Sequence, residues 1–373
     1  MALEKSVLSE NQIRDIVEQY GLTMQSVRKL PFGSANCFAV RCSEGMFFLK
    51  EFQSEFTRAE VEREAAVTEY LRGKDFPVAR FLKTVDGRTC IEAEGHILSV
   101  QEYIEGETYL NDLPHPLLME SARYLGMLHA ALKDYPMERG MDGKWLESFS
   151  VEAAVAKFDK LLGAIPPYVE LLSTGRTDAV NGKTGEETGH NEIRDMNLLH
   201  TLARIRADLT YKKELVRKLP QWRQYFDGIT YTPTHGDYTA CQLICDGDRV
   251  KAVIDFSAAM CLPAVWEIMR SYVQSGGACQ DGAPFDTADF VSYVSEYRKY
   301  APLTKRDLVA MPYVYIYQLS QSSYGYKEFL VTKSENRNDL LRFAFWRTNI
   351  CREIERKAGE ISEALSGLSG IDV

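Results

Sequence analysis

The sequence predicts an α+β protein of two lobes: a small lobe built on an antiparallel sheet over residues 1–104 and a larger, mostly helical lobe over residues 105–373. Three observations predict it. A chain of 373 residues, 45% of them hydrophobic, exceeds one typical domain and has ample material for a packed core. Strand-type runs dominate up to residue 104, and helical periodicities dominate after it. That change of period marks the lobe boundary.

Taken in order, Ser9 and Gln12 form a capping-box pattern ahead of Ile13, Ile16, Val17 and Tyr20, and Gly21 closes a short amphipathic helix. The stretch SVRKLPFGSANCFAVRCSEGMFFLKEF carries strand residues on both sides of Gly33 and again of Gly45, which predicts three antiparallel strands with Lys50 at the end of the third. TRAEVEREAAVTEYLRG predicts a helix stopped by Gly73. Two further strands are expected, at 78–84 and in HILSVQEYI.

Beyond residue 104, Leu118, Ala122, Leu125, Leu128 and Leu132 share one face of a helix to be buried. A helical insertion is expected over 134–230, interrupted at 173–192 by a polar, glycine-bearing stretch that predicts an exposed connection. NGKTG within it lacks the first glycine of a phosphate loop, because Thr177 stands there, and no strand precedes it. After residue 280 the chain reads as Tyr-rich helices; core packing is the expected account of Tyr313, Tyr315, Tyr317, Tyr324 and Tyr326.

The chemistry concentrates in THGDYTACQLICDGDRVKAVIDFSAA. Leu243–Cys245 and Val250–Ile254 read as a hairpin about the turn Asp246–Gly247–Asp248, and the return strand carries Asp255 back beside Asp237 and Gln242. Gathering two carboxylates costs free energy unless a cation compensates. Oxygen-only ligands favour a hard ion, and one or two carboxylates plus substrate phosphates are the usual Mg2+ arrangement.

HGDYTACQ at 235–242 followed by VIDF at 253–256 resembles the catalytic and metal-binding loops of the aminoglycoside phosphotransferase family, relatives of choline and homoserine kinases with a protein-kinase-like fold. The resemblance extends to FGSANCFAV as a glycine-containing nucleotide loop, to Lys50, to the Glu-rich helix after it, to QEYIEGE as a hinge, and to YLGMLHAAL. It implies an ATP-dependent phosphotransferase acting on a hydroxyl of a small molecule such as a sugar, amino alcohol or aminoglycoside, with ATP and Mg2+ as cofactors.

By that resemblance Asp237 orients the acceptor hydroxyl and takes its proton, while Asp255 and Gln242 hold the metal. Lys50 contacts the phosphates, steadied by a glutamate of the next helix. Glu64 is the choice because it shares a face with Val67 and Leu71, and Glu60 is the fallback. Gly33, Ser34 and Asn36 let the backbone approach the phosphates, and the backbone of Glu102, Tyr103 and Ile104 meets the adenine. The family has Asn where this chain has Gln242, and many relatives have Asp where it has Glu267, expected to bond the catalytic-loop backbone. His235 is expected to hold that loop and His129 to be a satisfied core histidine.

Two other readings stand beside this one. Gln242 motivates a nucleotide-binding regulatory or scaffold protein that has lost efficient transfer. A protein kinase is the third, disfavoured because Asp255 lies only 11 residues before Trp266, too few for an activation segment. Lys+Arg of 44 against Asp+Glu of 53, a net charge of −9, argues against nucleic acid as a partner. Eight cysteines without a CxxC pair, and no apolar run approaching the roughly 20 residues of a membrane span, predict a reduced, cytoplasmic protein.

Overall fold

In the computed structural model, residues 4–31, 35–140, 143–167, 189–277 and 283–370 are described. Helix α1 (Glu10–Glu18) starts at a complete capping box: Ser9 Oγ accepts from the Gln12 N–H, and Gln12 Oε1 accepts from the Ser9 N–H. Its buried Ile13, Ile16 and Val17 lie on a five-stranded antiparallel sheet, packed with Val40, Leu49, Leu98 and Val100. The strands β1 (Met24–Lys29), β2 (Asn36–Cys42), β3 (Gly45–Glu51), β4 (Ile91–Ala93) and β5 (His96–Glu102) run in the order β1-β2-β3-β5-β4.

The tight β2–β3 turn sets Cys42 opposite Gly45 and hence Cys37 opposite Lys50 and Asn36 opposite Glu51. Directly opposed residues share a face, and successive residues alternate. Lys50 and Cys37 therefore occupy the face away from α1.

The expected strand at 78–84 is not formed as such. The segment runs beside β5, with Leu82 donating to the Val100 carbonyl and Glu102 donating to that of Arg80, but it makes only isolated bridges. Pro77 at its start lacks a ladder donor, and the pairing passes at Val78 to Val253 of the other lobe. The strand that completes the sheet is β4, joined to β5 through Glu94 and Gly95, both at positive φ as a two-residue hairpin turn requires.

Helix α2 (Arg58–Arg72) has its own capping box, Thr57 with Glu60, and buries Val61, Glu64, Val67 and Leu71. After the short β6 (Glu107–Thr108) comes α3 (His115–Leu132), whose expected apolar face is buried. At Gly126 an added Cβ would lie 2.4 Å from the Tyr297 carbonyl oxygen, so α3 and α7 (Thr287–Arg298) approach backbone to backbone there. The insertion supplies α4 (Val151–Gly163) and the long α5 (Gly189–Trp222). The polar stretch with NGKTG lies outside the described residues up to 188, and its last residues open α5.

Strands β7 (Tyr231–Thr234) and β10 (Met260–Pro263) pair with each other, while β8 (Leu243–Asp246) and β9 (Arg249–Val253) form the expected hairpin with β6 alongside. Helices α6 (Ala264–Tyr272), α8 (Lys305–Ser320) and α9 (Arg337–Ser366) complete the helical lobe. Tyr315, Tyr317 and Tyr326 are core residues there, whereas Tyr313 stacks on Tyr225 at the edge and Tyr324 is exposed. The apolar core of this lobe continues into Val67, Leu71 and Phe76. The seven described cysteines are free thiols. Among the described residues no helix is long and apolar enough to cross a membrane.

Candidate active site

The site is built where β3 and α2 face the loops flanking the β8–β9 hairpin. Lys50 Nζ, 6% exposed as a residue, lies 2.8 Å from Asp255 Oδ1 and 3.6 Å from Glu64 Oε1. Glu60, the fallback partner, is occupied in the Thr57 cap. Asp255 follows β9 at φ +63°, a left-handed conformation that aspartate tolerates better than most residues. Two donors to one oxygen fix its carboxylate there: Lys50, and the Ser257 hydroxyl at 2.7 Å.

Burial opposes the charges in this cluster, and the partners decide which survive. Burial would raise the Asp255 carboxyl, but Lys50 and Ser257 hold it down at about 2. Glu64 is pushed up to about 7 by burial, against the pull of Lys50. Burial would lower Lys50, yet Asp255 and Glu64 keep it above its ordinary value.

Because Glu64 binds its proton more tightly folded than at its ordinary 4.5, its ionisation weakens the fold as pH rises towards 7. The melting temperature of the metal-free protein should therefore fall relative to Glu64→Gln between pH 5 and 8, a window above the titration of Asp255. Parallel pH curves for the two proteins would contradict this.

The loop after β7 is held from below and behind. Gly236 has φ +81°, and a Cβ there would meet the Ala258 carbonyl oxygen at 1.9 Å, so glycine is required twice over. Glu267 on α6, fully buried, accepts from the N–H groups of His235 (3.0 Å) and Gly236 (2.5 Å), the role expected of it. His235 Nε2 donates to the Ile254 carbonyl at 2.9 Å, and its Nδ1 accepts from the Asp237 N–H. His129 is a satisfied core histidine, and more: Nδ1 accepts from the Tyr297 hydroxyl at 2.8 Å and Nε2 donates to Glu267 at 2.9 Å. Burial disfavours the Glu267 charge, but His129 and the loop N–H groups outweigh it and hold this carboxyl below its usual range.

Glu267→Gln puts an amide NH2 where donors already point, and should cost about 3–5 kcal/mol in urea unfolding. A change within about 1 kcal/mol would show the loop to be held by other means.

So anchored, Asp237 projects with its side chain 41% exposed. Gln242 Nε2 lies 3.4 Å from Asp237 Oδ2, and the Gln242 carbonyl accepts from the Ile254 N–H, which ties the loop to the residue preceding Asp255. Asp237, Gln242, Asp255, Lys50 and Glu64 are thus brought together. The other oxygen of Asp237 is paired with Arg270, a residue the sequence reading missed. Arg270 stands three positions after Glu267 on α6, a spacing that puts both on one helical face and was a readable signal.

The remaining expected residues fall differently. Gly33 and Ser34 lie outside the described residues. Asn36 does not join the cluster: it sits on the α1 face of the sheet, accepting from Lys29 Nζ and donating to the Glu4 carbonyl, both at 2.9 Å. Strand parity turns its side chain away from Lys50, whereas the expectation for Asn36 concerns its backbone. Of the hinge, the Glu102 N–H is committed to Arg80, whereas Tyr103 and Ile104 make no backbone–backbone hydrogen bond among the described residues.

Residues 26–303, more than half of the chain, match the model of the phosphotransferase enzyme family. No curated protein matches the sequence. Among solved structures, a spectinomycin phosphotransferase in complex with ADP and spectinomycin superposes with a TM-score of 0.60 at 11% identity, covering 96% of this chain and 100% of its own. An aminoglycoside phosphotransferase from Alicyclobacillus acidocaldarius gives 0.58 at 14% identity, with 99% and 98% covered. An amicoumacin kinase in complex with AMP-PNP, Ca2+ and its antibiotic gives 0.59 at 14%, with 93% and 95% covered. These likenesses establish the protein-kinase-like fold: a five-stranded antiparallel sheet followed by a mostly helical region.

Proposed function

The chain belongs to the phosphotransferase enzyme family, and from that membership we propose that it moves the γ-phosphoryl group of ATP to a hydroxyl of a small-molecule acceptor, using Asp237, Lys50, Gln242 and Asp255. The observation that carries this reading is the Lys50–Asp255 pair at 2.8 Å, a charge from the sheet lobe held against one from the helical lobe, with Asp237 linked through Gln242 to the residue before Asp255.

As the acceptor oxygen bonds to the γ-phosphorus, the bond from phosphorus to the bridging oxygen breaks and its electron pair leaves with ADP. The acceptor proton passes to Asp237. In a loose transition state the nucleophile needs little activation, so holding the hydroxyl in line is the larger part of what Asp237 does. Lys50, steadied by Glu64, turns from Asp255 to the phosphates. The backbone groups of Tyr103 and Ile104, which make no backbone–backbone hydrogen bond among the described residues, meet the adenine.

The donors present fit Mg2+: a carboxylate and an amide oxygen, with no sulfur or imidazole among them. Asp255 and Gln242 would hold it, with the Gln242 nitrogen end already turned to Asp237. When bound, the ion neutralises charge on the phosphates. The longer Gln242 reaches further than the family's Asn, and the loop that carries it is bonded to the backbone at Ile254.

ADP release by wild-type protein with pooled alcohols tests the reading. Release that is lost in Asp255→Asn supports it, and release that persists unchanged overturns it.

A further inference from the structure

Arg270, paired with Asp237, has a second guanidinium, that of Arg347, as a neighbour. Arg270 pairs with Asp237, and its guanidinium lies 5.6 Å from the Trp266 ring centre. Arg347, on α9, donates to the Ser322 hydroxyl at 3.1 Å and lies 5.4 Å from the Phe343 ring centre. The Nε atoms of both arginines are buried without a partner. Tyr315, on α8 between the two helices, feels both positive charges, and Arg270 repels Arg347. Among the described residues no carboxylate lies within ion-pair distance of Arg347.

The excess extends behind Arg347. Lys212, 2% exposed, donates to the Leu319 carbonyl at 3.2 Å, and Lys157 donates to the Gln321 carbonyl at 2.5 Å. The bland account is that these cations cap the C-terminal end of α8. A helix end presents about half a negative charge, which one cation already balances, and here two lysines bond its carbonyls while Arg347 bonds the Ser322 hydroxyl just beyond. The nearby Asp208 is itself paired to Arg352.

Burial without full compensation shows in the groups themselves: it pushes Lys212 down to about 8 and lowers Lys157 and Arg347 as well. Such a cluster is costly in a protein of net charge −9, which has acids to spare for it. A ligand supplying the missing charge accounts for it.

We propose that the acceptor is an alcohol bearing an anionic oxygen group, a carboxylate or a phosphate ester, with that group held by Arg347 while the hydroxyl lies at Asp237 beside Arg270. The proposal rests on the kinase reading and narrows it: a cationic amino alcohol would meet like charge here, whereas a planar fork suits an oxyanion. Arg347 is then a binding residue remote from the reacting atoms.

Calorimetric titration of the full chain, loaded with a non-hydrolysable ATP analogue and Mg2+, tests it. The probes form four arms: hydroxy acids, sugar phosphates, the matching uncharged polyols, and amino alcohols. The expected result is tightest binding in one of the two anionic arms, and which of them it is identifies the group. Arg347→Gln should weaken that binding about 10- to 100-fold. Arg347→Lys, which keeps the charge, should weaken it less, and affinity for the nucleotide analogue should hold in both. The proposal is overturned if no anionic probe binds more tightly than its uncharged counterpart, or if Arg347→Gln binds the anion as wild type does. Absence of ADP release with an anionic probe that binds would count against the kinase reading alone.

Discussion

Asp255→Asn should lower phosphoryl transfer by about a thousandfold, equivalent to about 4 kcal/mol of lost transition-state stabilisation. Asparagine keeps the shape and the tolerance for the left-handed backbone but removes the charge proposed to face the metal and triphosphate. It also removes the partner of Lys50, leaving that ammonium beside Glu64 alone. Two readouts therefore move together: the rate falls, and nucleotide affinity loses its dependence on Mg2+. A variant that retains Mg2+-dependent affinity would place the ion elsewhere.

Asp237→Asn should reduce kcat about 100- to 10,000-fold while leaving KM for ATP near its wild-type value. The loop that carries Asp237 is fixed by Gly236, His235 and Glu267 rather than by its own carboxylate, so the variant should fold with that loop in place. What changes is the proposed proton acceptor and the partner of Arg270, whose Nε is already unpartnered. Steady-state kinetics over a range of ATP concentrations separates the two constants. A loss confined to KM for ATP would assign Asp237 to nucleotide binding instead.

The parts of the site legible in the sequence are those whose geometry is local. The hairpin after Gln242 returns Asp255 because a short turn leaves little choice, and both capping boxes announce their helices within four residues. Helical periodicity puts Glu60 and Glu64 on one face with Val67 and Leu71, and what separates them is that Glu60, in the first turn, is taken up by the Thr57 capping box.

The direction of the Asn36 side chain was also legible. Once Ser43 and Glu44 form the turn, Cys42 opposes Gly45, and counting back puts Asn36 on the face opposite Lys50. The Lys50–Asp255 contact spans 205 positions and depends on how two lobes meet, which no window of sequence encodes. Segment 78–84 has strand-like residues, but the meeting of the lobes at Val78 and Val253 governs its pairing. Arg270 and Arg347 lie on separate helices, and the shortage of acid around them becomes visible only when α6, α8 and α9 are packed together.

The most direct test of the central claim is a crystal structure with a non-hydrolysable ATP analogue and Mg2+. The account requires the triphosphate between the lobes, Asp255 and Gln242 on the ion, and Lys50 moved from Asp255 to the phosphates. Nucleotide bound outside that cleft, or an ion that does not touch Asp255, would contradict it.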